Sequence, residues 1–558
     1  MTALADPAGP GRKSSHLTGA RPRSSHLTGT GPLTRLALRR DKIMLPVWVY
    51  ALSIAYVSTS LSLKKLYGTA AERADFAHSM SANNSLRALY GPVLGDSVGA
   101  LTAWRMMSFG AALTGVMSLL IVVRHTREEE ETGRQELLSS AGVGRRAPLT
   151  AALTTAFAAN ALIAALIAAG LAATGQGASG ALALGLAVGA TGMVFAGVAA
   201  VAAQLTESAR LAKGLTAAVI GVAFTVRAAG DASAAQGRSP LVWLSPLGWP
   251  EQVRPYAGDR WWVLLLPLAL TAVTVLGAYA LTARRDLGAG LLATRPGPAT
   301  AGGALRGPYS LAWRLQRGTL LGWAAALLFA GAVFGAVAHG AADIVGDNQQ
   351  TLDIFERLGG SHGRAGISDA FLATVTGMLG LTAALYSTGS VLRLTGEETG
   401  GRAEPLLACA VGRLRWAAGH LVIAFAGTVA VLAAGGLAMG VSYGATAHDL
   451  GGQLPRVLAA ALAQAPAVWA LTGVTVLLAG ALPRLAAAAW GVVGAALAVG
   501  WLGPVIDAPQ WVMDLSPFGH LPKLPGPVGS AAPFLWLTAL AAVFTAAGLY
   551  GLRRRDVG

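Results

Sequence analysis

Long apolar runs recur along the whole 558-residue chain, and they restrict its fold more than any other feature. Each run has about 20 residues, which at a rise of about 1.5 Å per residue crosses a hydrocarbon core of about 30 Å. Only 12% of the residues are charged, so the sequence predicts an all-α polytopic membrane protein with about 12 transmembrane helices. The predicted spans are 43–63, 101–123, 149–173, 181–204, 214–229, 263–282, 320–338, 370–392, 416–442, 456–480, 486–503 and 534–552.

The chain has a net charge of +15, and its basic residues cluster beside the predicted spans. Such clusters, at 38–42, 283–286 and 553–556, directly flank span ends. The positive-inside rule then predicts a plasma-membrane protein with both termini cytoplasmic. Such clusters anchor helices at the lipid interface, and we expect no nucleic-acid binding. Residues 1–34 are rich in Ser, Thr, Gly and Arg, which predicts a disordered cytoplasmic tail.

A charged insert after the second predicted span has a second copy after the eighth. EETGRQE at 130–136 is similar to EETGGRAE at 397–404, and Arg134 aligns with Arg402 at a shift of 268 positions. Two further landmarks repeat at nearly the same shift: SPLG recurs as SPFG, and RRDLG recurs as RRDVG.

The repeated landmarks predict a duplicated chain. We expect one six-span repeat at 35–286, a linker at 287–308 and a second repeat at 309–558. Because six is an even number, both copies enter the membrane in the same direction, which makes the repeat parallel.

Each insert is predicted to form a helix of about two turns. Thr132 is placed to cap the first one, with Gln135 completing a capping box, and Pro405 suits the first turn of the second. A solvated spacer is one interpretation, but a motif kept in two copies favours a contact site for a partner protein. The predicted contact residues are Glu129, Glu130, Gly133, Arg134, Glu136, Arg145, Glu397, Glu398, Gly401, Arg402, Glu404 and Arg413.

A twelve-span chain with two such loops resembles the permease of ABC-2-type exporters, specifically the fused actinobacterial exporters of polyketide antibiotics. The resemblance implies that the inserts are coupling helices, each bound by one copy of a separate ATPase subunit. ATP and Mg would then be bound by the partner, because this chain contains no GxxxxGK[ST] motif and is expected not to be an enzyme. The second insert departs from the first in its Gly pair and in having fewer acids.

The resemblance also implies export of a bulky hydrophobic compound along a path between the two halves. Candidate lining residues are Trp104, Phe109, Phe224, Tyr386 and Trp490. Helix packing or lipid contact is the alternative role for each. The outer segments 239–262 and 504–527 combine Trp and Pro with charge, which fits either an outer gate or an interfacial anchor.

Three other classes of function are alternatives. A lipid or peptide exporter subunit would have the same architecture. An ion-coupled secondary transporter needs ionisable groups within its spans, whereas all acids fall outside the predicted spans and Arg227 is expected to snorkel to the interface. An intramembrane enzyme needs a catalytic constellation that the sequence lacks, and the single Cys and scattered His residues predict no metal site.

Overall fold

A computed structural model describes residues 26–82, 84–140, 142–233, 239–292, 305–338, 364–409, 411–502, 509–526 and 530–555, with isolated positions at 297, 299, 300 and 302. Every regular element within these residues is a helix. Eleven helical segments among them are long and apolar enough to cross a membrane, which confirms the predicted all-α polytopic fold. The predicted linker and the outer segment 504–527 lie partly outside the described residues.

The first half of the chain forms thirteen α-helices within the described residues. They are α1 (Thr30–Arg40), α2 (Met44–Leu66), α3 (Ala70–Ala82), α4 (Asn84–Tyr90), α5 (Val98–Arg124), α6 (Arg127–Glu131), α7 (Arg134–Ser140), α8 (Ala147–Ala173), α9 (Ala178–Leu205), α10 (Ala209–Ser233), α11 (Pro240–Leu244), α12 (Trp249–Val253) and α13 (Leu265–Thr282).

The second half follows the same order of long helices and short charged insert. Its α-helices within the described residues are α14 (Pro308–Ala338), α15 (Arg364–Thr399), α16 (Ala403–Leu407), α17 (Arg413–Thr446), α18 (Leu450–Leu462), α19 (Ala465–Ala481), α20 (Ala488–Leu502), α21 (Gln510–Met513) and α22 (Ala532–Arg554).

Two compact units divide the chain. The first contains the described parts of 1–66, 98–226 and 243–294. The second contains the described parts of 67–97, 227–242 and 295–558, so one of the boundaries along the chain falls inside α10. In the first unit α9 packs on α5, α8 and α13, and in the second α17 packs on α14 and α19 packs on α22.

Small residues bring these helices close together. In the first unit a Cβ added at Gly185 would collide with the backbone of Ala164, and in the second one added at Gly331 would collide with the backbone of Gly435. Helices in lipid gain stability from such close approach, because burial of apolar surface adds little when the solvent is itself apolar. The many Ala and Gly residues therefore serve helix packing.

The expected disordered tail ends earlier than predicted. Helix α1 begins at Thr30 and packs on α8 with Ala37 fully buried. The preceding residues are held as well, because the N–H groups of Gly144 and Arg146 donate to the carbonyls of Thr28 and His26 at 2.9 and 3.0 Å. Residues 1–25 lie outside the described residues.

Two predicted spans differ from the structure. The fifth is longer than predicted, because α10 runs on to Ser233 and so includes the acid Asp231. The eleventh corresponds to α20, which has 15 residues and is about 22 Å long, shorter than a full crossing.

The snorkelling role predicted for Arg227 is wrong. Its side chain and that of Asp231 are fully buried and form an ion pair at 3.6 Å. A guanidinium nitrogen of Arg227 also donates to the carbonyls of Ala88 and Leu89 at 2.8 and 3.0 Å, near the end of α4. The arginine therefore fixes a short helix to α10 within the second unit.

Candidate functional site

The first insert consists of two short helices that continue the second span. Helix α5 ends at Arg124, α6 begins three residues later, and the chain then turns at Gly133 into α7. The capping role predicted for Thr132 is wrong. Its hydroxyl donates to the carbonyl of Glu128 at 2.9 Å, so Thr132 closes α6 and does not start α7.

The second insert makes the same turn. Helix α15 continues to Thr399, and Pro405 lies in the first turn of α16, as predicted. Gly133 and Gly401 have φ of +70° and +67°, and a Cβ at either position would have no neighbour within 4 Å. Glycine is therefore required by the left-handed backbone of the turn and not by a shortage of space.

Glu130 is held inside the protein by two arginines. Its carboxylate lies 2.9 Å from Arg127 and is contacted by Arg285 at 2.8 and 2.5 Å. Only 9% of the Glu130 side chain is exposed. Arg285 lies three residues after the end of α13, so this contact ties the insert to the end of the sixth span. We call Glu130 and Arg285 the first clasp.

The second half contains a matching second clasp, formed by Glu398 and Arg555. One nitrogen of Arg555 lies 2.7 and 2.6 Å from the two carboxylate oxygens, and 11% of the Glu398 side chain is exposed. Arg555 follows α22, the last span of the chain.

A further arginine supports each clasp in the same way. Arg145 donates to the backbone carbonyl of Arg285, and Arg413 donates to that of Arg555 at 2.5 Å. The predicted contact residues Arg145 and Arg413 therefore have intrachain roles in the structure.

Glu129 and Glu397 are also paired within the chain. Glu129 contacts Arg40 and lies 3.5 Å from Arg134, whereas Glu397 lies 3.6 Å from Arg393 and 2.9 Å from Arg402. Both glutamate side chains are about 90% buried, since only 10% and 9% of their surface is exposed.

The two inserts are held unequally. Only the first carries the extra acids Glu128 and Glu131. Glu128 pairs with Lys213, and Glu131 accepts the backbone N–H of Ala209 at 2.7 Å. The first insert is thereby fixed to the start of α10 as well as to the sixth span.

Each insert keeps an exposed face. In the first, the side chain of Arg134 is 54% exposed, and Leu137 is 74% exposed beside the exposed Glu136. Arg402, Glu404 and Pro405 are exposed in the second. We call Arg134, Glu136 and Leu137 the first face, and Arg402, Glu404 and Pro405 the second face. Cys409, the single cysteine, is exposed two residues after α16.

A known protein is similar to this chain over almost its full length. It is 46% identical over 526 residues to the "Multidrug efflux system permease protein Rv1217c" of Mycobacterium tuberculosis, covering 94% of both chains. Residues 305–553 also match the family described as "Multidrug efflux system permease Rv1217c, C-terminal domain". The chain belongs to this family of efflux permeases. The predicted role as the permease subunit of an export system is therefore confirmed.

The candidate path residues of this permease differ in their surroundings. Trp104 and Phe224 are buried, and the rings of Phe109 and Phe224 lie 5.9 Å apart in the first unit. Tyr386 is buried and donates to the carbonyl of Ile423 at 3.1 Å, which makes it a packing residue in this conformation. Trp490 is 46% exposed. A role in lining a path stays a prediction for all five.

Sequence reasoning missed the arginine partners of the clasps and the buried acid Glu251. The partners had a visible signal, because Arg285 and Arg555 are the second arginines of the repeated RRDLG and RRDVG motifs. Glu251 lies in the outer segment 239–262, whose Trp and Pro residues indicated an interfacial location but no buried charge. Among the described residues no group of three or more His, Cys, Asp and Glu is placed to hold a metal.

Proposed function

We propose that this permease is the membrane subunit of an ATP-driven, ABC-2-type exporter. Two copies of a separate subunit would bind ATP and Mg, and each copy would contact one insert on the cytoplasmic side, where both termini would also lie. The observation that carries the proposal is the pair of matching clasps. They hold two short charged helices rigidly at the basic end of the spans while leaving one face of each exposed.

The contacts suit the inserts for transmitting force. Each insert continues from the second span of its half, and the clasp joins it to the residue that follows the sixth span. A push on the insert would therefore move both helices together. The buried glutamates Glu129, Glu130, Glu397 and Glu398 would hold the insert in place, and the two exposed faces would contact the ATPase.

The same contacts support the proposal of a parallel duplication. Glu130 and Glu398 differ by 268 positions, and their arginine partners Arg285 and Arg555 differ by 270. Paired side chains at nearly the same shift are expected when two copies of one fold diverge while keeping a functional contact.

The Mycobacterium tuberculosis relative is named a multidrug efflux permease. We further propose that the compound exported by this chain is bulky and hydrophobic. The described spans are rich in Ala, Gly and Leu and provide apolar surface with few polar groups. A solute that partitions into lipid suits such surfaces better than a sugar or an ion.

Charge reversal on the exposed faces tests the docking proposal. The double variant Glu136→Lys with Glu404→Lys should lower the amount of co-purified ATPase at least about tenfold. The introduced lysines would face a partner surface that is complementary to acids, so that the charges repel each other. Membrane insertion of the permease should persist. The matched control is Glu72→Lys, an exposed acid on α3, beyond the far end of the first span. Equal co-purification of all three proteins would contradict the proposal.

A further inference from the structure

A short outer segment carries an acid into the helices of the first unit. After α10 the chain folds back, and α12 packs against α5 and α9. Only 5% of Glu251 is exposed, and its neighbours Pro250, Gln252 and Val253 are buried as well. The carboxylate therefore lies inside the helical bundle and not on its rim.

The depth of Glu251 follows from its partner on α5. The hydroxyl of Ser108 donates to a carboxylate oxygen of Glu251 at 2.9 Å. Ser108 lies ten residues after Val98, the start of α5, which places it about 15 Å along the helix axis. An acid at this depth is costly in a membrane, and such acids mark the paths of ions or substrates.

Aromatic residues flank the serine. Trp104 lies one turn before Ser108, on the same face of α5, and is buried. Phe109 follows Ser108 and its ring stands 5.9 Å from that of Phe224. A carboxylate hydrogen-bonded to a serine that aromatic residues flank along α5 suits a lipophilic cation, because the carboxylate attracts the charge and ring faces attract cations too.

The backbone of the segment after α12 is strained. Arg254, Tyr256 and Asp259 have φ of 53°, 61° and 30°, which non-glycine residues rarely adopt. Strain of this kind is typical of functional sites, where the surrounding structure enforces it.

The ring of Tyr256 explains how the segment is held. It packs so closely on Gly99 and Gly180 that a Cβ at either glycine would collide with it. Asp259 accepts the backbone N–H of Tyr256 at 2.9 Å and the hydroxyl of Ser179 at 2.6 Å. Burial, with a smaller effect of Asp259, raises the pKa of Tyr256, so the phenol stays neutral. Together these contacts fix α12 and its acid against α5 and α9.

We propose that Glu251 binds the positively charged centre of an exported lipophilic cation, an inference that rests on the proposed function. The corresponding position of the second half carries no acid, because the shift that aligns SPLG with SPFG places Pro522 there. Thr376, which aligns with Ser108, donates to the backbone carbonyl of Leu524 at 3.3 Å. The cation site is therefore single and belongs to the first half.

Equilibrium binding to the purified permease tests the site without the ATPase. The probes are tetraphenylphosphonium, a lipophilic cation, and triphenylphosphine oxide, a neutral compound with similar phenyl groups. Glu251→Gln should weaken binding of the cation at least about tenfold and leave binding of the neutral probe within about twofold. Glu251→Asp should keep most of the affinity for the cation, and the control Glu72→Gln should bind both probes as the native chain does.

Two outcomes would overturn the inference: equal weakening of both probes by Glu251→Gln, which indicates a structural role, or no effect on either. ATP-dependent uptake into inside-out vesicles separates this failure from that of the proposed function. If the native protein with its ATPase binds the cation through Glu251 but transports neither probe, the exporter proposal fails while the binding site stands.

Discussion

One guanidinium nitrogen of Arg555 contacts both carboxylate oxygens of Glu398, at 2.7 and 2.6 Å. In the first half two guanidinium nitrogens of Arg285 each contact one carboxylate oxygen of Glu130. The acids that the sequence singled out for partner contact thus bind arginines of their own chain. In the proposed function they would act on the partner through the position of the insert, and the exposed residues beside them would form the contact surface.

The second clasp should be a strong interaction, because both charges are largely shielded from water. A double-mutant cycle with Glu398→Gln and Arg555→Gln should give a coupling energy of about 1–3 kcal/mol. The measurement is equilibrium unfolding in mixed detergent micelles. Arg553→Gln is the control: Arg553 is exposed near the end of α22, and we expect a change within about 0.5 kcal/mol. A coupling energy near zero at Glu398 would show that the clasp does not stabilise the insert.

Substitution of the turn glycines should destabilise the protein because of their backbone conformation. Gly133→Ala and Gly401→Ala should each lower the free energy of unfolding by about 1 kcal/mol, because alanine is strained at a positive φ. Gly396→Ala is a close control, since Gly396 lies within helix α15, has no positive φ and has no Cβ neighbour within 4 Å. We expect it to be neutral or stabilising. Equal effects at Gly396 and Gly401 would refute the conformational explanation.

The sequence predicted the elements that depend on local pattern. Apolar runs located eleven spans. Gly133 and Gly401 were predicted as contact residues, and only the structure shows that they form the turns of the inserts. The repeated RRDLG and RRDVG motifs were recognised as landmarks, but nothing local revealed that their second arginines bind glutamates more than 150 positions earlier. Such pairs depend on which helix ends meet in three dimensions.

The same limit explains the other differences. Thr132 fits the pattern of an N-cap, yet it lies at the C-terminal end of α6, which follows α5. Its hydroxyl donates to a carbonyl of α6. Glu251 lies outside every span, and only the folding back of α12 brings it to Ser108. Arg227 looked interfacial because Asp231 and the end of α4 were not expected beside it.

Tyr386 should act in packing and not in transport. Tyr386→Phe removes one buried hydrogen bond and should cost about 1 kcal/mol of stability while leaving export rates unchanged. Gly427→Ala should be more disruptive, because its Cβ would collide with the Tyr386 hydroxyl, and Tyr386→Phe should partly rescue it. Gly377→Ala, on the same helix as Tyr386 and without Cβ neighbours within 4 Å, is the control. Loss of export in Tyr386→Phe at normal stability would instead support a place on the substrate path.

Chemical labelling of the single cysteine reports on the accessibility of the second insert. Cys409 is exposed, and its thiol lies 3.3 Å from the carbonyl of Pro405, a residue of the second face. A membrane-impermeant maleimide should label it in inside-out vesicles and not in right-side-out ones. Glu72→Cys in a Cys409→Ser background provides the control and should show the opposite sidedness.

The rate of Cys409 labelling with and without the ATPase subunit tests the central claim most directly. In inside-out vesicles we predict that co-assembled ATPase slows labelling at least about tenfold, because access of the reagent to the thiol limits the reaction. Labelling of Glu72→Cys, measured in right-side-out vesicles, should be unaffected by the ATPase. An unchanged rate at Cys409 in complexes that contain the ATPase, or labelling of Cys409 from the outer side, would contradict the claim that the inserts are its cytoplasmic contact sites.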